Sequence, residues 1–277
     1  MRKNLRDAVI WITGASSGIG KALAIESVGR GASVILSGRN AERLADAERE
    51  CIAASSEART AILPFDLEDP MARAEACRAA PGLLGPLDVL VLNAGISQRA
   101  TFLETSAESF DRIMALDFGA QVDLIRRCLP AMVGRDSGCI VGISSIAGLA
   151  GFPLRPAYSS AKHALAGLLQ NIRSELSSTK IRIVTVYPSH VRTSVAVNAL
   201  DAAGVPTGED DPHIVAGADP ARCARRIADA IEGGRVEITV AFDLKSRFGL
   251  FLSRHFHSAF ASMSAKFAGL DNRKGRL

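Results

Sequence analysis

The chain has 277 residues, 48% of them hydrophobic and 22% charged, an ordinary globular balance that excludes a disordered or fibrous polypeptide. Its net charge of +4 is unevenly placed: residues 244–277 carry seven Lys/Arg against one Asp, which leaves residues 1–243 slightly acidic and without the basic surplus that nucleic acid demands. Five cysteines, odd in number and scattered, argue against a disulfide framework or a metal site and for a reducing, cytoplasmic setting.

In chain order, the opening MRKNLRDAVIWI sets basic residues before only four apolar ones, Val9 to Ile12. That is too short for the apolar core of a signal peptide, and no run of 18 apolar residues occurs to span a membrane. Residues 9–13 read instead as a first strand. Further β-branched runs follow at 33–37, 60–65, 89–92, 139–143, 181–186 and 236–240. Runs such as VLVL and IRIVTV do not alternate with polar residues, the pattern of strands covered on both faces. Helix-length segments lie between them at 19–31, 41–55, 71–80, 107–133, 157–178 and 221–232. Asn40, Asp69, Ser106 and Asp219 stand before four of these as N-caps. The alternation predicts an α/β fold: a doubly wound parallel sheet of seven strands with helices on both faces, over residues 1–243. Ligands would then bind beyond the carboxyl ends of the strands. Residues 194–218, rich in Gly, Pro and Asp, read as an insertion over the substrate, and 244–277 as a basic amphipathic extension.

Directly after the first strand comes Thr13-Gly-Ala-Ser-Ser-Gly-Ile-Gly20, leading into a helix. Glycines there permit positive φ and bring backbone N–H groups close to a phosphate at the helix N-terminus. The spacing is neither G-x-G-x-x-G, because Leu23 occupies the last glycine position, nor a P-loop, because positions 15 and 22 are both Ala. A plain structural turn is the competing reading. The second strand ends Ser37-Gly-Arg39-Asn40. An acidic residue here would suit a ribose 2′-OH, whereas Arg39 suits a 2′-phosphate and favours NADP(H) over NAD(H). The alternative is a solvated loop arginine.

Tyr158-Ser-Ser-Ala-Lys162 sets a phenol and an ammonium one helical turn apart on one face. An adjacent cation favours phenolate and suits the phenol to proton transfer. Ser145, at the end of the fifth strand, can orient and polarise a carbonyl oxygen. Such a Tyr–Lys pair taken alone is more often an exposed helix pair.

Together these motifs resemble the short-chain dehydrogenase/reductase superfamily, in its classical subgroup, over residues 8–243. The matches are T-G-x-x-x-G-x-G at 13–20, Asp66 after the third strand, Asn93-Ala-Gly95 after the fourth, Ser145 in GISSIAG, and Y-x-x-x-K at 158–162. The stretches ISSIAG and GFPLRPAYSSAKHAL look most like the group of dehydrogenase/reductase member 7B and its bacterial relatives. The resemblance implies a Rossmann domain that binds a nicotinamide dinucleotide through Gly14, Ser16, Ser17, Gly18, Ile19 and Gly20. It implies contacts from Arg39 and Asn40, from Asp66 and Leu67 by the adenine, and from Asn93, Ala94 and Gly95 near its ribose. Pro188, Val191 and Thr193 would lie over the nicotinamide. Tyr158 would be the general acid/base, Lys162 would bind the nicotinamide ribose and tune Tyr158, and Ser145 would hold the substrate oxygen. Carbonyl/alcohol interconversion on a steroid-, retinoid- or lipid-like substrate follows from the same likeness, as does a homodimer or homotetramer; no metal is implied.

Two departures stand out. Asp117 replaces the catalytic Asn of the family, and is expected to order a water beside Lys162 while adding a negative charge. Ser189 follows Pro188, where the family has Gly. These leave open a second class of function, a non-catalytic NADP(H)-binding regulator or scaffold. In the extension, apolar residues at 244, 248, 252, 256, 260, 263 and 267 form a helical stripe with Lys245, Arg247, Arg254 and Lys266 off it. Packing on the domain or a subunit, a membrane-surface helix over 244–268, and a substrate lid all fit that pattern.

Overall fold

The computed structural model describes residues 4–240 and 243–270. Seven strands, β1 (Val9–Thr13), β2 (Ser33–Ser37), β3 (Arg59–Ile62), β4 (Val89–Leu92), β5 (Gly138–Ile143), β6 (Ile181–Pro188) and β7 (Glu237–Val240), form one parallel sheet in the order β3-β2-β1-β4-β5-β6-β7. The order reverses between β1 and β4, which leaves a crevice at their carboxyl ends. β1, β2, β4 and β5 are buried along their whole length, as their unbroken apolar runs require.

The helices are α1 (Gly18–Gly29), α2 (Ala41–Ala54), α3 (Pro70–Leu84), α4 (Ala107–Met114), α5 (Ala120–Gly134), α6 (Pro156–Glu175), α7 (Pro212–Val215), α8 (Pro220–Gly233), α9 (Leu244–His255) and α10 (His257–Phe267). Two apolar cores sandwich the sheet. One gathers Ile10, Ile12, Leu23, Leu36, Val184 and Ile227 on the side of α1, α2 and α8; the other gathers Trp11, Leu90, Leu124, Ile140, Leu165 and Leu169 on the side of α3, α5 and α6. Trp11 is wholly buried, and its indole Nε1 donates to Ser37 Oγ at 2.8 Å. Asn40, Asp69, Ser106 and Asp219 each accept a first-turn backbone N–H and so cap α2, α3, α4 and α8.

The structure corrects four boundaries. β3 ends at Ile62, since Pro64 has no N–H for the ladder, although Leu63 and Phe65 still donate to Leu36 and Gly38. The α3 helix runs through Pro81 to Leu84. The long helix expected at 107–133 is interrupted by a π-helical turn at Ala115–Gly119. The stripe beyond 244 is not one helix either: at Phe256 the backbone leaves helical space (φ −138°, ψ 65°), so α9 and α10 present separate faces. The insertion is partly ordered by short bridges, Gln98 with Leu200 and Val191 with Ala218, and by α7. Arg273, Lys274 and Arg276 of the basic extension lie outside the described residues.

Candidate active site

A cleft of about 1010 Å³ opens over the carboxyl ends of the strands. Its first wall is the glycine turn. Gly14 and Gly18 hold φ of +67° and +55°, in the left-handed region that glycine adopts without strain. A Cβ at Gly20 would stand 2.3 Å from the Gly14 carbonyl oxygen and 2.5 Å from Asn93 Nδ2. That amide donates to the carbonyl oxygens of Thr13 and Gly14 at 3.0 and 3.2 Å. Thr13 Oγ1 in turn accepts from the N–H groups of Asn93 and Ala94. The ends of β1 and β4 are thus stitched together. Ser17, the N-cap of α1, makes no side-chain capping bond, so the first N–H groups of that helix remain for an anion.

Next along the cleft, Glu68 receives two bonds from Arg112, at 2.9 and 2.8 Å, and lies 3.8 Å from the Arg39 guanidinium. Hydrogen bonding from Arg112 outweighs partial burial and holds the Glu68 carboxyl below its usual range. Arg39 itself is largely exposed, with 65% of its side-chain surface free at the cleft edge. Arg73 donates to the Leu67 carbonyl at 2.7 Å and pairs with Asp123 at 2.9 Å, which ties this wall to α5.

At the other end, α6 carries Tyr158 and Lys162. The Lys162 Nζ lies 5.6 Å from the centre of the Tyr158 ring, donates to the Ile143 carbonyl at 3.3 Å, and meets Asp117 Oδ2 at 3.1 Å. Both members of that ion pair are buried, Asp117 completely. The carboxylate touches the ammonium directly, which places beside Lys162 the added negative charge that Asp117 implies. The π turn that contains Asp117 widens the coil there, and such turns recur at functional sites. Gly95 leaves the space: a Cβ there would stand 2.9 Å from Asp117 Oδ2. Asp117 Oδ1 also accepts the Ile96 N–H at 2.8 Å. Burial pushes the Asp117 carboxyl above the usual carboxylate range, and the Lys162 ammonium and Ile96 N–H offset this only in part. Burial is the largest single influence on the Lys162 ammonium and lowers it, but the Asp117 and Tyr158 charges and the hydrogen bond to Asp117 together outweigh it and raise the lysine above its usual value. Ser145, at the end of β5, faces the same cleft, and its Oγ accepts the Ala147 N–H at 3.1 Å.

The cleft wall therefore unites Gly14, Ser16, Ser17, Gly18, Ile19, Arg39, Asp66, Leu67, Asn93, Ala94, Gly95, Asp117, Ser145, Tyr158, Lys162, Pro188, Val191 and Thr193. Gly20 and Asn40 stand behind it, the one keeping the turn close and the other capping α2. Two supporting residues escaped the sequence reading. Gln98 Oε1 accepts the N–H groups of Ala157 and Tyr158, at 2.9 and 3.4 Å, and so supplies the cap that Arg155 does not give α6. Ser144 Oγ donates to the Lys162 carbonyl at 2.9 Å. Ser144 sits beside the motif serine, so its neighbour was a usable hint; nothing local marks Gln98. Among the described residues no three His, Cys, Asp or Glu side chains cluster to hold a metal ion.

The C-terminal helices complete the cleft as a roof. Phe260 of α10 sets its ring edge-on to Phe152, with centroids 5.6 Å apart, and Ser246 of α9 shares a 2.9 Å hydrogen bond with Ser189. Gly249, Leu250 and Met263 also face inward. At the rim, Arg155 pairs with Asp211 at 3.3 Å, and the rings of His190 and His213 lie 5.6 Å apart. Burial, with Arg155 and His213 adding like charge, lowers the His190 imidazole below its usual value.

The short chain dehydrogenase family matches residues 8–203 of the chain. Dehydrogenase/reductase SDR family member 7B of Mus musculus is 36% identical over 230 residues, which cover 82% of this chain and 71% of that one. Among solved structures, a metagenomic short-chain oxidoreductase in complex with NADP superposes with a TM-score of 0.71 at 28% identity, over 86% of this chain and 98% of that one. A short chain dehydrogenase/reductase from Burkholderia phymatum in complex with NAD gives a TM-score of 0.80 at 21% identity over 91% and 96%, a likeness of fold.

Proposed function

The chain belongs to the short-chain dehydrogenase/reductase family of oxidoreductases, and we propose that it interconverts a carbonyl and a secondary alcohol on a hydrophobic small molecule, with NADP(H) as its partner. A nicotinamide dinucleotide fits the residues present. The glycine turn leaves no room for side chains, the first N–H groups of α1 are free for a pyrophosphate, and Arg39 edges the cleft where a 2′-phosphate would lie. When bound, that cofactor supplies or accepts the hydride.

The remaining chemistry belongs to the chain. Tyr158 gives a proton to the substrate oxygen in reduction and takes it back in oxidation. Ser145 orients that oxygen from the opposite side. Lys162, fixed by Asp117 and the Ile143 carbonyl, keeps a positive charge under the phenol ring. Ion pairing with Asp117 softens that charge, so the proton-transfer step here works against a weaker field than a neutral amide would leave. Phe152, Leu154, Leu200, Ile214, Leu250 and Phe260 exclude water from the substrate end and suit a steroid-, retinoid- or lipid-like body.

The observation that carries the reading is the buried ammonium of Lys162 directed beneath Tyr158 in a cleft that also holds Ser145. A panel of ketones and aldehydes offered with NADPH and with NADH tests it by cofactor oxidation. Turnover of apolar ketones with NADPH is expected, and no turnover of any carbonyl with either cofactor would contradict it. Arg39→Asp is expected to reverse the cofactor preference, by about tenfold or more against NADPH; unchanged NADPH affinity would remove Arg39 from the 2′-phosphate site. Assembly into a homodimer or homotetramer, and a seat at a lipid surface, extend the same reading.

A further inference from the structure

Helix α9 has two unlike faces. Ser246, Gly249 and Leu250 point into the cleft, while Leu244, Phe248 and Phe251 recur at i, i+4 and i+7 on the opposite side. The outer three are 81, 56 and 51% exposed, an apolar row that no described residue covers. Lys245, which also edges the cleft, lies on one flank of the row, and Arg247 and Arg254 lie on the other, all three exposed. Between 244 and 270 there is no Asp or Glu. Phe256, in the bend between α9 and α10, is also exposed and stacks near Phe251, with centroids 6.0 Å apart.

We infer that the outer face of α9 docks on an anionic lipid surface, with Phe248 and Phe251 entering the acyl boundary and Lys245, Arg247 and Arg254 meeting the headgroups, so that the roof of the cleft rests against the lipid. An apolar row bordered by cations on both sides is the design of a helix that lies in the membrane interface. Cationic borders draw it to the negative surface of an anionic leaflet. A second copy of this chain is the competing occupant. Two such rows brought together about a twofold axis would oppose cation to cation, with no acidic residue between 244 and 270 to relieve them. The charge thus selects lipid over self. Because the inner face of the same helix lines the substrate end, docking would also bring the cleft to where an apolar ketone is dissolved. The inference rests on the proposed hydrophobic substrate only for its purpose, not for its geometry.

Flotation of the full chain with vesicles decides the matter without any turnover. Vesicles of phosphatidylcholine mixed equally with phosphatidylglycerol should carry the protein, and phosphatidylcholine alone should carry about tenfold less. Phe248→Ser with Phe251→Ser should lower flotation on the mixed vesicles about tenfold, as should Arg247→Gln with Arg254→Gln. All four positions are exposed and outside the cleft wall, so turnover of a water-soluble ketone should stay as in the unaltered chain. Failure of the unaltered chain to float, equal flotation of the double phenylalanine variant, or a phenylalanine variant that changes oligomeric state in place of flotation would each overturn the inference. None of these results bears on Tyr158. A chain that floats yet turns over no carbonyl would instead sink the proposed activity.

Discussion

At the glycine-turn end of the cleft, Gly14, Gly20 and Asn93 meet at distances that leave no room for a Cβ, whereas the roof meets the cleft through side chains, among them the Ser189–Ser246 pair and the Phe152–Phe260 edge. The first arrangement is built by backbone within a buried sheet. The second joins distant segments through side chains whose far faces stay in solvent. A backbone clamp of this kind suits the dinucleotide of the proposed function, while a side-chain roof can be altered residue by residue without unfolding what lies beneath. Variants that act globally at one end and locally at the other are therefore the way to break the comparison.

The largest effect is expected from Lys162→Met. It leaves the wholly buried Asp117 carboxylate without its cation, and such orphaned charges cost about 3–5 kcal/mol. Urea unfolding should show that loss, and Asp117→Asn combined with it should recover a large part. If the single variant were as stable as the unaltered chain, the ion pair would not be holding the site. Gly20→Ala comes next. Its Cβ would meet the fixed Gly14 carbonyl oxygen as well as the Asn93 amide, so about 2–3 kcal/mol of stability and most dinucleotide affinity should go together; tight binding measured by titration of the bound cofactor's fluorescence would contradict the clamp.

The roof should behave otherwise. Phe260→Ala removes the edge contact to Phe152 and is expected to raise KM for an apolar ketone about tenfold while the global unfolding midpoint moves little. Ser189→Gly breaks the bond to Ser246 and should do the same more weakly, near 1 kcal/mol. A large fall in the unfolding midpoint for either would show the roof to be part of the cooperative core.

The smallest effect concerns acid. Glu68 has a carboxyl held below its ordinary value of 4.5, chiefly by Arg112. Its contribution is fully present above that ordinary value and is lost as pH falls through the lowered one. Asp117 runs the other way: its carboxyl is raised above the ordinary 3.8, chiefly by burial, so its contribution is present below 3.8 and lost as pH rises through the raised value. Glu68→Gln should thus cost about 0.5–1 kcal/mol at neutral pH and flatten the acid side of the stability profile below pH 4.5. An unchanged profile would remove the Glu68–Arg112 pair from the account.

The same contrast explains what could be read from the chain beforehand. The sheet, the glycine turn and the Tyr158–Lys162 pair are legible because each is set by local backbone demands or by spacing along one element, whereas Asn93 is legible only through the family resemblance. The π turn at 115–119 leaves no mark in the hydrophobic pattern, so the direct contact of Asp117 with Lys162 could not be read from it. Gln98, 59 residues from the N–H it caps, is tied to its function only by the fold. The stripe after 244 was visible, but the break at Phe256, which turns Phe260 inward and leaves Phe248 outward, depends on what the helices rest upon.

In the proposed reaction the Tyr158 phenol moves the proton, while Lys162 and Ser145 set its charge and orient the oxygen that receives it. Tyr158→Phe measured against a verified ketone substrate, with NADPH affinity determined in parallel, tests this most directly. Turnover should fall about 10³-fold with cofactor affinity within a factor of about three. Retained turnover in the phenylalanine variant would contradict it.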